Sequence, residues 1–240
     1  MEIKNNFFLT LLYLVGSQLF ISNYLFSQDT IYLGNPSFED TPRKGCPPYS
    51  IPIKEWNDCG LVNFPGESPP DIHSAKNEIW GVTLRPYDGK TFLGLVTRYS
   101  DTFESISQSL SAPIEAGKCY KVSVYLGFSQ KYKSLTMRSL LERSVNGDSG
   151  DYSTYMEDFS HPVELFIWGG DKYCNRRQLL VHSGPVIKYN WELFILEFSP
   201  KSTYQFITIG AYYRYGYTEP YNGHVLVDNF SPIIEIECNN

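Results

Sequence analysis

The sequence has 240 residues, of which 42% are hydrophobic and 16% aromatic, and its formal net charge is −6 at pH 7. The acidic residues are spread along the chain, and this balance argues against a surface for nucleic-acid phosphates. A chain of this size can form one domain with a large hydrophobic core.

The first predicted element is an apolar segment at the N-terminus. Lys4 precedes a nearly uncharged run over residues 7–26, and polar residues begin at Ser27. This order is typical of a secretory signal peptide, so we predict that residues 1–27 are removed. Residues 28–240 then form a single domain that is secreted, periplasmic or at the cell surface. Because about 20 apolar residues can span a bilayer, an uncleaved anchor is the alternative, and membrane contact is expected only in that case.

Five cysteines follow the signal segment: Cys46, Cys59, Cys119, Cys174 and Cys238. Disulfides persist outside the cytoplasm, and the odd count leaves one thiol over. We favour Cys46 with Cys59 across a Pro-rich loop, then Cys119 with Cys174, although spacing alone does not fix the connectivity. The alternative is five buried thiols. No CxxC motif occurs, which argues against a structural zinc site.

The segments after the signal are short, rich in β-branched and aromatic residues, and separated by Gly, Pro, Asn and Asp, as in an all-β sandwich. From Tyr120 to Phe128, every second residue is apolar, which indicates a half-buried antiparallel strand. The predicted strands cover residues 30–33, 91–97, 104–110, 119–128, 163–168, 178–183, 191–198, 204–212 and 224–228.

Between Phe128 and Pro162 the alternation gives way to a long polar insertion with a helical stretch predicted at residues 135–143. Long insertions in compact domains are functional or disordered. No internal repeat or linker divides the chain, which supports one domain.

Two terminal motifs carry a family resemblance. The segment 33–40 reads LGNPSFED and is followed by Trp56, and the segment 225–229 reads VLVDN. With the segments 88–95, 106–110 and 116–120 in the same order, this pattern resembles the carbohydrate-binding jelly-roll modules of the galactose-binding-like superfamily, in the form found in exported bacterial surface proteins. The resemblance implies an antiparallel two-sheet jelly roll.

The resemblance also implies a structural Ca²⁺ between the first and last strands. Residue by residue, its ligands would be the carboxylates of Glu39 and Asp228, with backbone carbonyls near Asn35 and Lys90. Hard oxygen donors of this kind suit Ca²⁺. The alternative is that the two carboxylates cap turns or accept backbone N–H bonds.

Tyrosines crowd the segment between the last two predicted strands, which we expect to be a loop at one end of the sandwich. Tyrosine rings pack against the C–H faces of sugars, and their hydroxyls provide polar tips. A second patch is predicted around the strand that begins at Thr91. Trp56 and Trp191 are predicted in the core, and Trp168 is left open. The candidate binding residues are Tyr213, Arg214, Tyr215, Tyr217 and Tyr221 in the loop, and Trp80, Tyr87, Arg98 and Tyr99 in the second patch.

These features predict a non-catalytic module that binds a glycan or a cell-surface polysaccharide. One alternative is a structural or adhesive protein that binds an envelope protein. Another is a glycoside hydrolase or lyase, which would need two carboxyl groups about 5 to 9.5 Å apart. No pair is selected among Glu104, Glu164, Asp171 and Glu192, and the four histidines lack metal-binding spacing.

Overall fold

A computed structural model describes residues 30–45, 52–60, 69–147 and 152–238. The predicted signal segment therefore lies outside the described residues. The strands are β1 (Thr30–Ile31), β2 (Asn57–Asp58), β3 (Asp71–Ser74), β4 (Thr91–Arg98), β5 (Thr102–Phe103), β6 (Ser105–Ile114), β7 (Cys119–Gly127), β8 (Lys133–Ser134), β9 (Glu157–Asp158), β10 (His161–Pro162), β11 (Glu164–Gly170), β12 (Gln178–His182), β13 (Glu192–Phe198), β14 (Tyr204–Tyr212), β15 (Gly223–Asp228) and β16 (Ile233–Ile236). One α-helix, α1 (Met137–Val145), and 3₁₀ turns at Ile79–Gly81 and Tyr152–Tyr155 complete the described elements. No helix in the described ranges is long and apolar enough to cross a membrane.

Two large sheets pack face to face, and their strand order is that of a jelly roll. The larger sheet contains β13-β7-β15-β4 and the smaller sheet contains β12-β11-β14-β6. Numbered in chain order from β4, these eight strands follow 6-3-8-1 in one sheet and 5-4-7-2 in the other, which is the double Greek key of a jelly roll. The pairs are antiparallel except for β10 with β15. The predicted fold class is confirmed.

The main core lies between the sheets and follows the alternation in the sequence. On β7, Tyr120, Val122, Val124 and Leu126 are all buried, whereas Lys121 on the other face is partly exposed. Trp56 is buried in this core as predicted. Each of the nine predicted strands overlaps an observed strand, and α1 overlaps the predicted helical stretch.

The insertion forms a packed layer over the outer face of the larger sheet. Tyr132 and Phe159, from its two ends, are fully buried against Phe92 and Leu226 of the sheet. Partly buried Trp191 packs against this second hydrophobic cluster and is not in the main core. Because the insertion covers this face, both faces of β4 are buried along its whole length.

Two histidines lie inside this second layer. Burial, with a smaller effect of the nearby His224, lowers the pKa of His73 to about 3. Burial also lowers the pKa of His224 to about 4, and this ring contacts the Phe159 carbonyl through Nδ1 and the Ser129 amide through Nε2. Both imidazoles are neutral at physiological pH and serve as packing groups.

The two disulfides differ from both predicted pairs. Cys59 bonds Cys174, and Cys119 bonds Cys238, with Cα–Cα distances of 5.3 and 5.2 Å. Cys119 meets the C-terminal strand because β16 pairs with the start of β7. The predicted pairs are therefore wrong, and Cys46 lies outside the described residues. Disulfides of this kind are typical of oxidising compartments.

Candidate functional site

The tyrosine loop, residues 213–222, connects β14 to β15 and is held at both ends by hydrogen bonds. The hydroxyl of Tyr213 donates to the carbonyl of Arg98, and the hydroxyl of Tyr221 donates to the carbonyl of Pro162 at 3.0 Å. The amide N–H of Arg214 donates back to the Tyr221 hydroxyl at 3.0 Å. These contacts fix the loop before any ligand binds.

The tip of the tyrosine loop presents aromatic rings to solvent. Tyr215 is 66% exposed and Tyr217 is 56% exposed. Tyr217 lines a surface cleft of about 420 Å³ together with Arg214, Glu219 and His161. Tyr221 also lines the cleft, and its ring packs edge-on against Tyr217 with a 5.7 Å centroid distance. The cleft therefore combines flat rings with a cation, a carboxylate and an imidazole.

Tyr215 links this loop to the outer face of the smaller sheet. Its ring stacks on His182 with centroids 4.7 Å apart, and its amide N–H donates to the Glu164 carboxylate at 3.0 Å. The other oxygen of Glu164 contacts His182 Nδ1 at 2.6 Å. A single buried carboxylate on β11 thus holds the backbone of Tyr215 and the ring of His182, on which the Tyr215 ring stacks.

Sequence reasoning missed an aromatic cluster on this outer face. Phe166 and Trp168 point outward from β11, and Tyr212 lies beside both rings with centroid distances of 4.9 and 5.6 Å. Gly210 lies on the neighbouring strand, where a Cβ would be 2.9 Å from the Ser105 Cβ and 3.3 Å from the Trp168 ring. The spacing of Phe166 and Trp168, two residues apart, could have predicted this cluster. Alternate residues of a strand point to opposite faces, and Leu165 and Ile167 point into the core.

Burial removes three predicted binding residues from the accessible surface. Tyr213 is 6% exposed and packs under the loop, and Trp80 is 8% exposed with its indole N–H on Asp71 at 2.9 Å. Arg98 is 1% exposed and forms an ion pair with Glu104. Other protein groups cover these side chains in the described structure, so ligand contact by them stays a prediction that would require their exposure.

The second predicted patch is dispersed. Tyr87 is 46% exposed, but its ring stacks on Tyr125 of the larger sheet. Tyr99 is half-buried beside the tyrosine loop, where its amide N–H donates to the Asn222 side chain at 3.0 Å. The structure therefore brings Tyr99, but not Tyr87 or Trp80, to the region of the tyrosine loop.

The carboxylates proposed for Ca²⁺ both bind the segment that precedes β4. Glu39 accepts from the amide N–H groups of Lys90 at 2.7 Å and Thr91 at 3.0 Å. Asp228 accepts from Tyr87 and Asp88 through Oδ2, whereas its buried Oδ1 has no hydrogen-bond partner in the described structure. The Phe230 amide N–H also donates to the Pro36 carbonyl at 3.0 Å, so the two terminal motifs are neighbours.

The donor set fits a cation in part. The unpartnered oxygen of Asp228 is suited to a metal, whereas the Asn35 carbonyl already accepts from Phe38 and from the indole of Trp56. Asn35 is therefore the weakest of the four candidates. Within the described ranges, no group of three His, Cys, Asp or Glu side chains is placed to hold a metal ion.

No protein-family model matches the sequence, and a search of curated proteins finds no relative. Among solved structures, the xylan-binding CBM22-1 domain of Paenibacillus barcinonensis Xyn10C is 13% identical, with 88% of this chain and 97% of that chain covered and a TM-score of 0.41. The galactotriose-bound carbohydrate-binding module TmCBM61 is 15% identical, with coverages of 85% and 98% and a TM-score of 0.36. The arabinofuranosidase MgGH51 is 10% identical over 86% of this chain but only 26% of its own, with a TM-score of 0.45. None of these scores reaches 0.5, so the fold assignment rests on the strand order.

Proposed function

We propose that this protein is a non-catalytic carbohydrate-binding module that acts outside the cytoplasm and binds glycan through the tyrosine loop. The observation that carries the proposal is the exposed ring of Tyr217 at the cleft with Arg214 and Glu219. Tyr215, two residues earlier in the same loop, presents a second exposed ring beside the cleft, stacked on His182. Rings of this kind pack on sugar C–H faces, and the charged groups bind hydroxyls. Because the loop is already held in place, little entropy is lost when a ligand binds.

Two of the carboxylates considered for hydrolysis support a binding role instead. Glu104 is 3% exposed in its ion pair with Arg98, and Glu164 is 2% exposed between His182 and the loop backbone. Buried groups engaged in this way are poorly placed to act on a glycosidic bond. We therefore assign Glu164 a positioning role for the rings of Tyr215 and His182.

The double variant Tyr215→Ala/Tyr217→Ala tests this function. We expect binding to weaken by about 10- to 100-fold, because exposed aromatic anchors carry much of the binding energy at such sites. A glycan array with residues 28–240 identifies the ligand, and calorimetry gives its affinity. Tyr189→Ala is the matched control, since Tyr189 is 53% exposed and lies outside the cleft. Unchanged affinity in the double variant would reject the proposal, and competition by an envelope protein but not by free oligosaccharide would favour adhesion.

We also propose that a structural Ca²⁺ binds at Glu39 and Asp228, with backbone carbonyls near Lys90. Burial raises the pKa of Asp228 from its ordinary value of 3.8 to about 7. Without a cation, the contribution of Asp228 to stability is therefore greatest below pH 4 and is lost as the pH rises through about 7. A bound Ca²⁺ would neutralise the carboxylate and tie the two terminal motifs together.

Thermal unfolding with Ca²⁺ or EDTA tests this site. We expect 1 mM Ca²⁺ to raise Tm by several degrees, and by more at pH 8 than at pH 5, because Ca²⁺ competes with the proton on Asp228. Asp228→Asn should abolish the response. Asp171→Asn, which changes an exposed carboxylate paired with Arg177, should retain it. A Tm that chelation leaves unmoved at both pH values would count against the metal.

A further inference from the structure

The loop between β11 and β12, residues 171–177, crosses the outer face of the smaller sheet; we call it the strap. Its Cys174 is bonded to Cys59, which directly follows β2 at the opposite edge of that sheet. The strap lies close on the sheet, because a Cβ at Gly170 would be 2.1 Å from the Asn175 carbonyl oxygen. The guanidinium of Arg176 also lies 5.2 Å from the Trp168 ring. The disulfide thus joins the strap, which starts at the β11–β12 edge of the sheet, to the segment after β2 at the opposite edge.

This arrangement places Tyr173 at the wall of a second groove. The groove has a volume of about 600 Å³ and runs between the strap, the segment around β2 and residues 32–34. Tyr173 packs edge-on against Phe206 with centroids 4.8 Å apart and remains 45% exposed. Across the groove, Tyr32 is 61% exposed, and its amide N–H donates to Ser111 at 2.8 Å. Two exposed tyrosine rings therefore border one groove; the ring of Tyr173 is held by Phe206, and the backbone of Tyr32 is held by Ser111.

Exposed polar groups line the same groove. In the described parts of the chain, the carboxylate of Glu55, the side-chain oxygen of Asn57 and the hydroxyl of Ser109 border it, are open to solvent and form no hydrogen bond to another protein group. Glu55 has a left-handed backbone with φ of 66°, a strained conformation for a residue with a side chain. Such strain is concentrated at functional positions. Sugar hydroxyls are both donors and acceptors and would replace water at these groups.

We propose that this groove is a second saccharide-binding site, with Tyr32 and Tyr173 as its aromatic walls and the Cys59–Cys174 disulfide as its organiser. The inference rests on the proposed glycan-binding function and extends it to two sites. Tyr215 bonds Glu164 at one end of β11, whereas Tyr173 contacts Phe206, which pairs with Gly170 at the other end. Strand rise separates the two ends by about 20 Å, so one polysaccharide chain can engage both sites and gain avidity.

The test compares wild type with Tyr32→Ala/Tyr173→Ala, Tyr215→Ala/Tyr217→Ala and the combined variant. The probes are xylan, β-1,4-galactan and mixed-linkage β-glucan in affinity gels, and the matching hexasaccharides in calorimetry. We expect two hexasaccharides per wild-type chain, one per chain in each double variant, and none in the combined variant. Polysaccharide affinity should fall at least fivefold in either double variant as avidity is lost. Tyr189→Ala is again the control.

The outcomes separate the two proposals. If the wild-type protein binds one hexasaccharide and Tyr32→Ala/Tyr173→Ala still binds it, the groove site is overturned but the tyrosine-loop site is not. If retention in the affinity gels is abolished by Tyr32→Ala/Tyr173→Ala but not by Tyr215→Ala/Tyr217→Ala, the tyrosine-loop site is overturned and the groove site stands. Absence of binding to every probe overturns both.

The disulfide variant Cys59→Ser/Cys174→Ser tests the organising role. Measured at a temperature at which circular dichroism shows it folded, it should bind one hexasaccharide, as Tyr32→Ala/Tyr173→Ala does. Cys119→Ser/Cys238→Ser removes a disulfide whose cysteines do not line the groove and should keep two sites. Two sites in both variants would overturn the role of the disulfide.

Discussion

Reduction of the two disulfides is expected to remove much of the stability of the folded domain. They join residues separated by 115 and 119 positions, so each restricts a long loop in the unfolded chain. Loops of this length correspond to about 5 kcal/mol in the chain-entropy model, and loss of a native disulfide typically costs about 2–5 kcal/mol. Because whole domains are stable by only about 5–15 kcal/mol, the doubly reduced protein should unfold near 37 °C.

Guanidinium unfolding with and without a phosphine reductant measures this effect. Each of two variants, Cys59→Ser/Cys174→Ser and Cys119→Ser/Cys238→Ser, should lose part of the free energy of unfolding. In each variant, the reductant should lower the remaining free energy of unfolding only through the disulfide that is still present. Cys46→Ser should behave as wild type, since the two disulfides use the other four cysteines. An unfolding midpoint that reductant does not move would contradict the expected loss.

Breaking the buried ion pair between Arg98 and Glu104 should cause a large loss of stability. Their side chains are 1% and 3% exposed, and the second oxygen of Glu104 accepts from the Val96 amide N–H at 3.1 Å. Glu104→Gln removes the carboxylate charge that the buried guanidinium contacts. Removal of one partner of such a pair costs about 3–5 kcal/mol, measurable by urea unfolding.

The double variant Arg98→Met/Glu104→Leu is the informative control. Replacing both charges by apolar groups of similar volume is often neutral or stabilising, so we expect it to recover most of the loss. Its glycan affinity should equal that of wild type, because the Arg98 side chain does not reach the surface. A Glu104→Gln variant within 1 kcal/mol of wild type would show that the charge of the pair contributes little.

Strand positions followed from the sequence where apolar residues alternate with polar ones or form short apolar runs. The alternation on β7 predicted its buried residues, because side chains point to opposite faces of a strand. β3 was missed because its sequence, Asp-Ile-His-Ser, is mostly polar although all four residues are buried. The reason is tertiary: Asp71 is buried with hydrogen bonds from Tyr132, Trp80 and Gly45. No local pattern encodes partners so distant in sequence.

The candidate site was predictable only in part for a related reason. Tyrosine density located the loop, but residue type does not tell whether a ring or a guanidinium faces solvent. Arg98 ends a strand that the insertion covers, and Tyr213 packs beneath its own loop, so both became buried. The disulfide pairs and the groove beside Tyr173 depend on strand order, which cysteine spacing does not determine.

The pairing of β1 with β16 has a mechanical consequence. Thr30 lies opposite Ile234, and the two strands are antiparallel, so the chain enters and leaves the sandwich on the same side. Tension applied at the N-terminal side would peel β1 from β16 one hydrogen bond at a time, at low force. A pull from the C-terminal side reaches Cys238 before it reaches β16, and Cys238 is bonded to Cys119. That pull would pass through the covalent bond into β7, so β16 would not be peeled and the tyrosine loop would stay out of the line of load.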